Sequence, residues 1–116
     1  MAEAFANSYG SDVLVATSAG LAPVVSVVPE TVAIMREVDV DVSRHVPMPY
    51  NPRLAGNYDI VVNMSGYRLP GKPPAEVLEW TVKDPYQNKP EVYRKVRDDI
   101  EERVTGLILR LRQATS

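Results

Sequence analysis

Asp84-Pro85 is the pair most suited to chemistry in this chain. In the stretch TVKDPYQNKP it stands between an apolar run ending at Val82 and a helix expected to begin near Pro90. The proline fixes the backbone beside the acid, and a carboxyl held in one place can donate a proton to a leaving oxygen. A turn aspartate that caps the approach to a helix has the same local signature, and on these residues alone that is the simpler account. Little else in the chain is reactive. Its 116 residues contain no cysteine and one histidine, His45, so disulfides, thiolate zinc sites and histidine metal sites are excluded. No carboxylate cluster suggests Mg²⁺, and no cofactor is expected.

The composition is that of one ordinary globular domain, 45% hydrophobic and 24% charged, with a net charge of −2. That balance argues against a general nucleic-acid or membrane-surface binder. No apolar run reaches the ~20 residues a membrane helix needs, and the first basic residue is Arg36, too late for a secretory signal. A cytoplasmic protein is expected.

Elements that could position Asp84 alternate along the chain. MAEAFANSY, residues 1–9, is made of strong helix formers but has no capping side chain ahead of it. Val13-Leu14-Val15-Ala16 reads as a short strand closed by Ser18-Ala19-Gly20. Pro29-Glu30 opens a second helix with Val32, Ile34, Met35 and Val38 on its apolar side. Residues 59–64, DIVVNM, form the clearest strand, and their nearly continuous apolar run suits cover on both faces. Val77 to Val82 reads as a last strand. The final helix carries Val92, Val96, Ile100, Val104 and Ile108 at four-residue spacing, with Tyr93, Leu107 and Leu111 beside them. The mixed charges of YRKVRDDIEERV read as a solvated face. This order implies a three-layer α/β sandwich on a mainly parallel sheet. Function then collects at the carboxyl ends of the strands, where SAG at 18–20, NMSG at 63–66 and KDPY at 83–86 converge.

The ordered series AEAFA, VATSAGL, PETVAIMREV with DVSRH, YDIVVNM, WTVKDPY and YRKVRDDIEERV resembles the low-molecular-weight protein tyrosine phosphatase family, with its arsenate-reductase relatives, over essentially the whole chain. Members are similar in opening with a strand and a Cys-x5-Arg phosphate loop ahead of the helix containing AEA. The resemblance therefore implies a chain that begins at that helix and lacks its first strand, its nucleophile and its loop arginine. It implies that Asp84 is the general acid, that Tyr86 flanks a substrate ring, and that Ser18 braces the phosphate loop. Gln87 stands where some members carry a second aromatic, and 21–28 lacks the aromatic found in animal members, so tyrosine specificity does not follow. His45 reads as structural support, and Asp39 occupies the place of a helix-ending glycine. Asn63-Met64 either lines a pocket or is buried at the sheet end.

The resemblance implies phosphomonoester hydrolysis in complete members and an inactive chain here, with a phosphorylated substrate only if the loop is restored. Residues 63–83 hold no cysteine pair, which favours the phosphatase branch over a thioredoxin-coupled reductase; a reductase borrowing an external thiol stays open. The alternative of another class is a non-catalytic α/β protein that dimerises or binds a partner. A receiver domain is not matched, because Asp59 lies at the wrong end of its strand. A serine hydrolase is not matched either, because MSG at 64–66 is no nucleophile elbow. Loss of an inner strand would leave open sheet edges, so a homodimer is expected.

Overall fold

In a computed structural model of the chain, the residues described are 1–19, 29–45, 48–51, 57–65, 67, 76–82 and 89–115. Asp84 and Tyr86 lie outside them. In chain order the elements are α1 (Ala2–Tyr9), α2 (Pro29–Arg36), β1 (Ile60–Asn63), β2 (Glu76–Glu79) and α3 (Pro90–Thr115). β1 and β2 pair in parallel, with Ile60 opposite Glu76 and Asn63 opposite Glu79. The α/β fold on a parallel sheet read from the sequence is the one observed.

α3 organises the packing. Its four-residue apolar repeat buries Val96, Ile100, Val104 and Ile108, with Tyr93 joining them, and both α1 and α2 lie against it. Phe5 of α1 and Met35 of α2 are fully buried in the same cluster. α1 ends at Gly10, whose N–H donates to Ala6 O at 2.9 Å. The φ of Gly10 is −125°, which any residue can adopt, so the need for glycine there is steric. A Cβ would lie 2.7 Å from Ile108 Cγ1, and its absence lets the end of α1 close onto α3.

α2 shows a complete account of its last carbonyls. Pro29 starts the helix with a preset φ and no N–H to satisfy. At the other end Asp39 takes φ 61°. Val40 N–H then donates to Met35 O at 3.1 Å and Asp39 N–H to Arg36 O at 3.0 Å, the paired bonds of a Schellman ending. Glu37 N–H takes Ala33 O. The remaining carbonyl, that of Ile34, accepts from Arg97 Nη1 at 3.1 Å. The expectation for Asp39 as helix terminator is thus met, at the cost of a left-handed non-glycine residue. Asp39→Gly should raise unfolding free energy by about 0.5–1 kcal/mol, because relief of the left-handed strain outweighs the extra freedom of an unfolded glycine. Urea denaturation checks this, and a less stable glycine variant would contradict it.

Three readings are corrected. Val13 to Ala16 is not a strand: residues 11–13 form a turn, 14–16 have no ladder, and Val15 is 86% exposed. Here the Asn7 carboxamide replaces a neighbouring strand, accepting from Ala16 N–H and donating to Ala16 O, both at 2.9 Å. Nor is β1 covered on both faces, since Ile60 to Val62 are only half-buried; β2 is its sole partner among the described residues. The last strand covers Glu76–Glu79 rather than 77–82.

The charged side of α3 is also less solvated than its sequence suggests. Arg97 is buried at 9% exposure and reaches Glu37 Oε1 at 2.8 Å as well as Ile34 O. Arg94 binds the same carboxylate through Nε and Nη2. These hydrogen bonds, from Arg94 first and then Arg97, hold the Glu37 carboxyl down to about 2. The guanidinium pair therefore joins α2 to α3 by charge where the apolar seam ends.

Candidate functional site

Three segments meet at the start of α1. The first turn of that helix supplies Glu3, the chain after the 11–13 turn supplies Ser18, and the segment following α2 supplies His45. His45 Nδ1 lies 2.9 Å from Glu3 Oε2. Ser18 Oγ donates to the same carboxylate oxygen at 3.2 Å and lies 3.4 Å from His45 Nε2. Each position has a local cause. The Asn7 clamp on Ala16 carries the chain back along α1 to bring Ser18 to the first turn. The Schellman ending of α2 turns the chain so that Val40 and Val42 enter the core. At 41–43 an Asx turn follows, in which Ser43 N–H donates to Asp41 Oδ1 at 2.9 Å. Bonds from Ser43, with its hydroxyl first and its N–H second, keep the Asp41 carboxyl below its usual value.

Together with Asn7, Thr31 and Arg44 these residues line an open cleft of about 340 Å³. Serine, histidine and a carboxylate in contact invite comparison with a nucleophilic triad, but the geometry differs. In a triad the hydroxyl passes its proton to the imidazole while the carboxylate holds the far side of the ring. Here the hydroxyl bonds to the carboxylate, and the imidazole nitrogen is beyond good hydrogen-bond distance. The cluster fixes three segments relative to one another, and among the described residues the Ser18 hydroxyl sits closer to the Glu3 carboxylate than to the His45 imidazole.

Of the residues read from the sequence as site candidates, Ser18 is placed in this cleft, while Asp84 and Tyr86 fall outside the described residues. His45 has the supporting contact expected of it. Asn63 is buried at 4% exposure, which decides between its two readings. Its carboxamide donates to Tyr67 O at 2.7 Å and accepts from Ser65 N–H at 3.0 Å, closing the turn after β1. Glu3 was missed. Its only signal in the sequence is a place in AEAFA, and a single acid in a helix's first turn is too common to mark a site. No group of three or more histidine, cysteine or acidic side chains able to hold a metal occurs among the described residues. No described helix is long and apolar enough to cross a membrane.

The family model for low molecular weight phosphotyrosine protein phosphatase matches residues 1–70. The chain belongs to that family. Among its relatives, a glutaredoxin arsenate reductase from Synechocystis sp. is 35% identical over 96% of this chain and 87% of its own. An arsenate reductase from Bacillus cereus is 29% identical over 90% of this chain and 80% of its own. Among solved structures, an arsenate reductase in the oxidized state superposes with a TM-score of 0.82 at 33% identity, over 95% of this chain and 86% of that one. A protein tyrosine phosphatase superposes with a TM-score of 0.77 at 20% identity, over 96% of this chain and 85% of that one, a likeness of fold. The phosphatase family and its arsenate-reductase relatives, expected from the ordered segments of the sequence, are thereby established as the frame in which the cleft is read.

Proposed function

We propose that this chain is the frame and acid side of an arsenate-reductase-type oxyanion site, and that its 116 residues do not turn over substrate by themselves. The observation that carries the reading is the likeness to the Synechocystis glutaredoxin arsenate reductase, 35% identical across 96% of the chain. It reverses the order in which the sequence ranked the branches, since relatives at this level of identity are named for arsenate reduction. The reading that stayed open, a reductase drawing on an external thiol, becomes the preferred one, and phosphomonoester hydrolysis becomes the alternative.

Under this reading each residue has a limited task. A thiolate that attacks a tetrahedral oxyanion must expel one oxygen, and that oxygen needs a proton as it leaves. Asp84 supplies the proton, with Pro85 fixing its loop. Ser18, Glu3 and His45 hold the cleft's three segments in register, and Tyr86, two residues after the acid in the sequence, is the candidate to flank a substrate. The thiol must come from outside these residues, because the sequence has no cysteine. Joining an upstream segment that carries a strand and a Cys-x5-Arg loop tests the branch. The joined protein should reduce arsenate in the presence of glutathione and glutaredoxin, faster than it hydrolyses p-nitrophenyl phosphate. Ester hydrolysis without arsenate reduction would return the assignment to the phosphatase branch.

A further inference from the structure

The segment that delivers Ser18 to the cleft is held along one side of α1. Asn7 and Glu3 stand four residues apart on that helix and so share a face. Asn7 meets Ala16 and Glu3 meets Ser18, so 16–18 runs back along α1, antiparallel to it. The segment is extended, since Leu14 and Ala16 pack against the core while Val15 and Thr17 are exposed, the alternation of a strand-like chain. The two spacings then agree: four helical residues rise about 6 Å, and two extended residues reach about 7 Å. The contacts themselves are unequal. Asn7 Nδ2 donates to Ala16 O and Asn7 Oδ1 accepts from Ala16 N–H, both at 2.9 Å. Ser18 Oγ stands 3.2 Å from Glu3 Oε2 and 3.4 Å from His45 Nε2, long for hydroxyl bonds. The short, paired contact sets the position, and the long ones follow from it.

We propose that Asn7 is a positioning residue of the cleft, placing Ser18 against Glu3 and His45 by gripping Ala16. A carboxamide offers a donor and an acceptor on separate atoms, which lets it bond both backbone groups of one residue as a neighbouring strand would. Aspartate in its place would keep an acceptor, lose the donor and set a carboxylate against Ala16 O. The competing tether is Thr17 Oγ1, which donates to Tyr58 OH at 2.7 Å. That is one bond between two rotatable side chains, and it fixes the backbone less than two bonds made to the backbone itself. The bearing of Asn7 on turnover rests on the cleft being part of the oxyanion site; its placement of Ser18 does not.

His45 is the one histidine of the sequence, so its imidazole nitrogen resonances, read by NMR on the 116-residue chain at a fixed pH, report the cleft without overlap. Ser18→Ala should move the Nε2 resonance. Asn7→Ala puts a better helix former at an exposed site and should move that resonance in the same sense. Adding Ser18→Ala to Asn7→Ala should then change little, as expected of residues that act as a unit. Thr17→Val should leave the resonance in place. Should Asn7→Ala fail to fold, Asn7→Asp repeats the measurement, and Ala16 N–H in the unaltered chain should exchange slowly. The proposal is overturned by an Nε2 resonance that ignores Ser18→Ala or the Asn7 variants, that follows Thr17→Val instead, or that responds to Asn7 and Ser18 independently. A freely exchanging Ala16 N–H overturns it as well. None of these readings depends on turnover, so a failed arsenate assay would reject the proposed function and leave this placement standing.

Discussion

Phe5→Ala should lower the unfolding free energy by about 3–5 kcal/mol, the range for removing a large buried aromatic and leaving a cavity. Phe5 is fully buried and belongs to the cluster in which α1 meets α3. Its ring also packs on Tyr9 with centroids 5.5 Å apart, a contact the alanine variant loses. Small domains have about 5–15 kcal/mol in total, so the variant should sit close to the threshold of folding. Closure elsewhere is blocked by shape: α1 already ends against Ile108 at Gly10, with no room for a Cβ, so α1 has little freedom to slide into the void. Because α1 also carries Glu3 and Asn7, loosening it releases His45 and the Ala16 clamp together. Urea denaturation measures the loss. A change under about 1 kcal/mol would mean that α1 is not docked through Phe5.

In a protein joined to an upstream Cys-x5-Arg loop, Asp84→Ala should cut turnover about a hundredfold or more, the usual scale for a general acid. On the proposed reading the substitution removes the proton source and nothing needed to bind the oxyanion, so the loss should appear in kcat with little change in KM. Asp84→Asn separates chemistry from packing: it keeps the shape and hydrogen-bonding capacity but has no acidic proton, and should be as impaired as the alanine variant. A substrate whose leaving group needs no protonation should restore most of the rate. An undiminished rate in Asp84→Ala would reduce Asp84 to a turn residue that caps the approach to α3.

Some of this structure was legible in the sequence because its cause is local. The repeat from Val96 to Ile108 could only be a buried helix face, the prolines at 29 and 90 open their helices, and Asp39 stands at a helix end and takes the left-handed conformation. The strand read at 59–64 is present at 60–63 and pairs in parallel, although the cover on both faces that its aliphatic run suggested is absent. What failed depended on partners distant in the chain. Val13 to Ala16 has the composition of a strand, but a strand needs a ladder, and the bonds at Ala16 go to a side chain nine residues earlier. Arg97 sits in a run of mixed charges that reads as solvated, whereas the unpaired carbonyl of Ile34 draws it inward. Glu3 gained its role only when Ser18 and His45 converged on one of its oxygens. Ordered motifs could reveal the family; they could not reveal which side chains hold the cleft together.

The central claim is that these residues provide the frame and the proton donor of an oxyanion site but not its nucleophile. The most direct measurement is an assay of the 116-residue chain itself, with p-nitrophenyl phosphate and, separately, with arsenate plus glutathione and glutaredoxin. The account predicts no turnover above the blank in either. Activity that survives repurification and falls on Asp84→Ala would contradict it, since Asp84 would then be serving a nucleophile within these residues.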